Sequence, residues 1–278
     1  SVGYTSYMTL ERFGHMTQIV AEAAEDGNTY IWCNSNGQSG SDGYGENLSF
    51  SRIQYKPGTT LKGGYAGDTF VRSKTGHMDL QVSVDFDYRR LLVGTRVSGK
   101  AFRYFWVYDL DQALNLPLKD VTLNVRMGTA SNITNDDATT TSRTFKARDL
   151  ADLTPLGYFE IPRGSVEAGQ TYSYSHQGHE VHGDYVWFYE GNAVADGSNY
   201  KSYAYVTVYD YQGKVVVKRT ALKAIEDNNA MSSFGLTKIG YAEGESMKVK
   251  DGKLYLGLAC HDGSGTYRYS DILVFNIK

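Results

Sequence analysis

Cysteine is nearly missing from this chain: Cys33 and Cys260 are its only two, too few for a fold held together by disulfides. They could form one bridge with each other, and two buried free thiols are the plain alternative. An excess of basic residues is also missing. The net charge of -3 makes neither nucleic acid nor an anionic membrane surface an expected partner. No apolar run approaches the roughly 18 residues that span a bilayer, so no transmembrane segment is expected. The chain begins SVGYTSYMTL, with no initiator Met and no basic-plus-apolar leader. That start reads as a mature protein whose targeting segment was removed, or as a boundary within a longer chain. Low cysteine and a surface rich in Tyr, Gly, Ser and Asn point to a secreted, extracellular protein.

What the chain has instead is 23 Tyr and 30 Gly against only 4 Pro. Tyrosine favours strands and glycine favours tight turns, so the composition reads as all-β. The pattern repeats. GHMTQIV begins at Gly14 and GHMDLQV at Gly76, and each leads through a turn to a short apolar strand, TYIWC at Thr29 and RLLVG at Arg90. HGDYVWFYE from His182 and KDGKLYLGLAC from Lys250 have the same plan, a Gly/Asp turn feeding a hairpin strand. Alternating strands follow each copy: LSFSRIQY, AFRYFWVYDL, YAYVTVYDY and DILVFNIK.

Anchored on Tyr30, Leu91, Tyr185 and Leu254, the spacing leaves one long gap, between Leu91 and Tyr185, that holds two units. Periods of about 50 residues made of short strands predict a β-propeller. The expected architecture is a single five-bladed propeller over 1–278, with blades at 10–70, 71–115, 116–172, 173–225, and 226–278 plus 1–9. The N-terminal strand would join the last blade and close the ring, removing the exposed sheet edge. The third blade is the weakest in sequence. VTLNVRM and LGYFEIP read as its strands, but the polar run SNITNDDATTTSR separates them.

In a propeller, the start of each inner strand shares a face with the loop joining strands two and three. That places His15, His77, Asp79, His179, Glu180, Glu243 and Glu245 around the axis, ringed by loops carrying Tyr44 and Tyr267, with Trp32 and Trp187 on nearby strands. Aromatic rings stack on sugars, and Asp, Asn and His bond their hydroxyls, so the face suits carbohydrate. Repeated histidines also arise from duplication alone, serving blade packing. Zinc would need three or four converging ligands, and no HxH or HExxH pattern is present. A calcium site in SNGQSGSDGYGEN is suggested by composition only, since the D-x-[DN]-x-[DN]-G spacing is missing. Glycoside hydrolysis needs two flanking carboxylates; Glu22, Asp79, Glu180, Glu243 and Glu245 are the candidates, none in a context that marks a tuned acid and base. No GxSxG, P-loop or dinucleotide fingerprint occurs.

The segment GHMDLQVSVDFDYRRLLVGTRVSGKAFRYFWVYDLDQAL resembles the repeat of helveticin J-like class III bacteriocins, in which a His- and acid-containing inner strand precedes an apolar strand and a Tyr-Asp-Leu motif. YAEGESMKVKDGKLYLGLACHDGSG and QGHEVHGDYVWFYEG are similar to that family's last units. The resemblance implies a secreted, heat-labile antibacterial protein or a lectin-like propeller acting at bacterial envelopes, and it carries over no catalytic residue. The expected function is therefore multivalent binding of glycan or cell-wall polymer, alone or as a subunit of a secreted toxin complex, rather than enzymatic cleavage. A propeller glycosidase or lyase and a protein-binding scaffold are the alternatives.

Overall fold

The computed structural model describes residues 5–16, 18–39, 45–73, 76–128, 138–163, 174–196, 199–234, 242–261 and 268–277. It is all-β, and its larger sheets are built like propeller blades, in which most neighbouring strands run up and down. The chain divides into two compact units, 1–100 with 104–156, and 101–103 with 157–278.

The first unit contains β1 (Thr9–Leu10), β2 (Ile19–Ala23), β3 (Thr29–Ser39), β4 (Gly45–Gln54), β5 (Thr60–Leu61), β6 (Asp68–Val71), β7 (His77–Asp85), β8 (Arg90–Val97) and most of β9 (Phe102–Asp109). Helix α1 (Leu110–Asn115), capped by the Asp109 carboxylate on the Gln112 amide, then turns the chain into β10 (Lys119–Gly128) and β11 (Ala138–Asp149). Its core follows from strict strand alternation. Val82 and Val84 of β7, Leu91 and Val93 of β8, and Trp106 and Tyr108 of β9 pack with Trp32, Phe50 and Phe70 of the preceding sheet.

Two expectations are corrected here. Residues 119–149 do not build a blade of their own: β11 pairs in parallel with β6, so β10 and β11 lengthen the first sheet to the order β10-β11-β6-β4-β3-β2. The reason is that β6 is only four residues long and offers an open edge, which Arg148 and Asp149 cover at Phe70 and Val71. Arg148 fixes this junction with a 2.9 Å ion pair to Asp68. The N-terminal strand is also elsewhere than expected. Thr9 and Leu10 pair in parallel with Thr60 and Leu61 of β5, because Met8, Leu10 and Leu61 pack against Phe13, Cys33 and Ile53.

The second unit begins with β12 (Gly157–Pro162), whose Phe159 ring lies 5.6 Å from that of Tyr209. An antiparallel four-stranded sheet follows, from β13 (Ser175–His182), β14 (Tyr185–Asp196), β15 (Asn199–Asp210) and β16 (Val215–Ala221). Two short helices, α2 (Lys223–Glu226) and α3 (Asn228–Ser233), lead to the last sheet, β17 (Ala242–Lys250), β18 (Lys253–His261) and β19 (Arg268–Asn276). Val206 and Val208 pack on Met247, Val249, Leu254 and Leu256 to form this unit's core. Two of its sheet-edge strands differ. β16 carries register shifts and Lys218 in its middle, whereas β19 pairs with β18 through nine unbroken positions. β19 shows Ile272 and Val274 on its exposed side.

Candidate functional site

The repeated GHM segments have a backbone explanation. Gly14 and Gly76 both adopt positive φ, 101° and 85°, a conformation in which a side chain is strained. Gly14 also lies against Gly37, where a Cβ would come within 2.4 Å of the Gly14 nitrogen. The histidines after them have different surroundings. His15 is exposed and its carbonyl accepts from the Asn34 amide, whereas His77 is half-buried, 2.7 Å from the Thr95 hydroxyl and edge-on to Tyr104 and Trp106. Next to His77, a bulge with Asp79 at φ 55° turns that carboxylate onto Arg96 at 2.5 Å, and Arg96 also pairs with the buried Glu46. Asp79 is thus held in an ion-pair cluster.

Trp32 is corrected from ligand contact to core. It is fully buried, stacked 5.4 Å from Phe70, and its indole N–H donates to Glu22 at 2.7 Å. Glu22 takes two further bonds from Arg52, whose guanidinium lies 3.5 Å from the Tyr30 ring centre. Burial opposes the charged Glu22, but Arg52 and Trp32 outweigh it and leave the carboxyl below its ordinary value. The polar segment after Trp32 is likewise less a loop than a hairpin. β3 runs to Ser39 and β4 starts at Gly45, and buried side chains bond across the pair: the Asn34 amide donates to Asn47 at 3.0 Å and the Asn36 amide to Ser49 at 2.8 Å. Among the described residues no group of three His, Cys, Asp or Glu side chains could hold a metal ion.

In the second unit, His179 and Glu180 are corrected too. His179 is fully buried, 3.1 Å from His176, and Glu180 is buried and paired with Lys248. The hairpin register explains this. Counted from their turns, His179 occupies the same step as Val82 and Met247, a core step, and Glu180 the same step as Ser83 and Lys248. Glu243 is half-buried and accepts from Gln177 at 3.3 Å; Glu245 sits at the β17 bulge. Trp187 packs on the core, its buried indole N–H without a hydrogen-bond partner among the described residues. Tyr44 and Tyr267 lie outside the described residues. Cys33 and Cys260 are free and buried, so the bridge is not made; burial pushes their thiols up to about 12 and about 11.

The four-stranded sheet assembles a group that the sequence reading missed. Glu190 on β14 faces His176 on one side and Tyr205 on the other. Its buried carboxylate accepts from the Tyr174 backbone N–H at 3.2 Å and pairs with Arg219 of β16. Arg219 in turn lies flat over the Tyr205 ring, 3.4 Å from its centre. Tyr174 stacks near-parallel on both Tyr203 and Tyr205, at 5.4 and 5.7 Å. All three rings are half-buried. Burial first, then the neighbouring Glu226 carboxylate, raises the Tyr205 hydroxyl above its ordinary value. Lys201 reaches to 5.4 Å from the Tyr203 ring and, with Lys223, Glu226, Asp227 and Asn228, lines a cleft of about 510 Å³.

No protein-family model, curated protein or solved structure matches this chain. The platform and cleft therefore rest on their own geometry. The sequence held one usable signal for them. In YAYVTVYDY, Tyr203 and Tyr205 stand two apart on one strand face, opposite the Ala204, Val206 and Val208 that fill the core. Glu190 and Arg219 gave none, because their meeting depends on three strands pairing.

Proposed function

We propose that this chain is a secreted β-propeller that binds glycan or cell-wall polymer, of the bacteriocin-like antibacterial type that the GHMDLQV repeat resembles. The observation that supports this reading best is the Tyr174–Tyr203–Tyr205 stack, fixed by Glu190 and Arg219 beside a polar cleft. Half-buried tyrosines next to amide, carboxylate and ammonium groups suit a sugar site, with ring edges and C–H for apolar contact and the polar groups for hydroxyls. Binding rather than cleavage is favoured by the state of the carboxylates. Glycoside cleavage needs two free carboxyls flanking the bond, whereas Glu180 is ion-paired with Lys248, Asp79 with Arg96 and Glu22 with Arg52.

A glycan array probed with the wild-type chain and with Tyr203→Ala tests this. Binding to a defined set of oligosaccharides is expected, weakened about tenfold by the substitution, in line with roughly 1.4 kcal/mol per decade. An array on which the folded wild-type protein binds nothing would overturn the proposal. Growth inhibition of bacteria bearing a bound glycan, and its absence for those lacking it, tests the antibacterial part.

A further inference from the structure

Tyr174 leads into β13, and the strand it leads into stands on a pair of histidines. The Tyr174 backbone N–H donates to the Glu190 carboxylate. Two residues on, His176 Nε2 lies 3.1 Å from His179 Nδ1, the two rings stacked and Phe188 5.1 Å from His176. His179 is fully buried, and so is the His176 Nδ1. The two ring nitrogens share a hydrogen bond only while one of them lacks a proton; two imidazolium ions would set N–H against N–H. Of the charged groups around the pair, Glu190, opposite His176 on β14, is held by Arg219 of β16 and by the Tyr174 amide. On β17, Glu243 accepts from Gln177, Glu243 and Glu245 bear on the Tyr189 hydroxyl, and Lys248 is paired with Glu180. Arg103, whose positive charge acts on His176 directly, opposes a proton there.

From this geometry we infer that the His176–His179 pair is an acid-operated clasp: when both rings take a proton, the start of β13 leaves β14, Tyr174 leaves the Tyr203 and Tyr205 rings, and the ligand-binding surface comes apart. The loss of ligand rests on the glycan-binding reading above. Closed, the clasp keeps protons out, because burial and Arg103 hold His176 well below its ordinary value. Open, both rings meet water and titrate near the ordinary 6.5. Each proton taken up then favours the open form about tenfold per pH unit below that value. The bulge between His176 and Gly178 already interrupts the pairing with β14. The segment ahead of it can therefore detach while Val206 and Val208 of β15 stay packed on the last sheet.

Amide hydrogen exchange of the full chain, corrected for its intrinsic dependence on pH, reads the clasp without any ligand. Amides 174–178 are expected to exchange at least tenfold faster at pH 5 than at pH 7, while amides 206–208 keep their protection. In parallel, affinity for the tightest-binding oligosaccharide of the glycan array is expected to fall at least tenfold between the same two pH values. His176→Gln keeps a hydrogen-bonding side chain that does not titrate and is expected to flatten both responses. His179→Gln is expected to do the same, and serves should the first variant fail to fold. Exchange at 174–178 that ignores pH, an acceleration shared by 206–208, or a response that survives the substitutions would overturn the inference. So would full oligosaccharide affinity at pH 5 with the clasp open. Failure of the glycan reading looks different: a chain that binds no sugar at either pH, yet opens at 174–178 in acid, defeats that reading and leaves the clasp standing.

Discussion

Glu22 shows how a residue that reads as chemistry can be spent on structure. As a strand carboxylate it was a candidate for glycoside hydrolysis, yet its oxygens are committed to the Trp32 indole and the Arg52 guanidinium. Glu22→Gln keeps the shape and removes the charge, and is expected to lower stability at pH 7 by about 2 kcal/mol, the scale of a bond to a charged group. The pH dependence has a definite sign. Glu22's carboxyl lies below its ordinary value in the folded protein, so its contribution is complete above about pH 4.3 and is lost as pH falls further. Wild-type and Glu22→Gln melting curves are therefore expected to converge in acid. His176 acts in the opposite direction of charge. Burial, then Arg103 and His179, hold its imidazole well below the ordinary 6.5. Below about pH 6.5 the unfolded chain binds the extra proton, so stability falls as pH drops. Thermal melts of His176→Gln are expected to show a shallower decline between pH 7 and 5 than those of the wild type.

At the scale of the element, the inner strands were legible in sequence down to their turns, and their contents were not. Alternation and Gly/Asp turns mark β7–β8, β13–β14 and β17–β18 within a residue or two of where they lie. What hid the side-chain environments is the bulge that interrupts each inner strand, at 78–81, 176–178 and 244–246. One extra residue reverses which face the rest of the strand presents. His179 therefore points to core while a simple motif alignment sets it beside His77. The edge strands carry a separate expectation. β16 is irregular and holds Lys218, both of which discourage a second chain from pairing. β19 has a regular register and exposes Ile272 and Val274, 68% and 50% accessible. Ile272→Lys is expected to suppress light scattering during thermal unfolding while moving the melting temperature by no more than a few degrees. Unchanged scattering would remove β19 from the causes of aggregation.

For the molecule as a whole, composition alone reached the all-β class, since tyrosine and glycine in such proportion leave few other folds. The count of blades could not be read the same way. The 119–149 segment has strand-like sequence, but which sheet it joins is decided by the open edge of β6, a fact of tertiary pairing. Each unit has its own core and one buried thiol, Cys33 in the first and Cys260 in the second. With thiols pushed up to about 12 and about 11, neither is expected to react with iodoacetamide at pH 8 in the folded protein. Both are expected to react in denaturant. Mass spectrometry of partly unfolded samples then reports each unit's opening through its own cysteine, and rapid labelling of either under native conditions would contradict its burial.

The Glu190 carboxylate and the Arg219 guanidinium it pairs with bring Tyr174, which leads into β13, together with Tyr205 of β15 in the same sheet. The binding surface we propose, assembled in that way, has no linear counterpart. Synthetic peptides cut from any one strand should compete poorly with the intact chain. Antibodies raised against the denatured protein should leave its ligand binding untouched, whereas those that block it should demand the folded antigen.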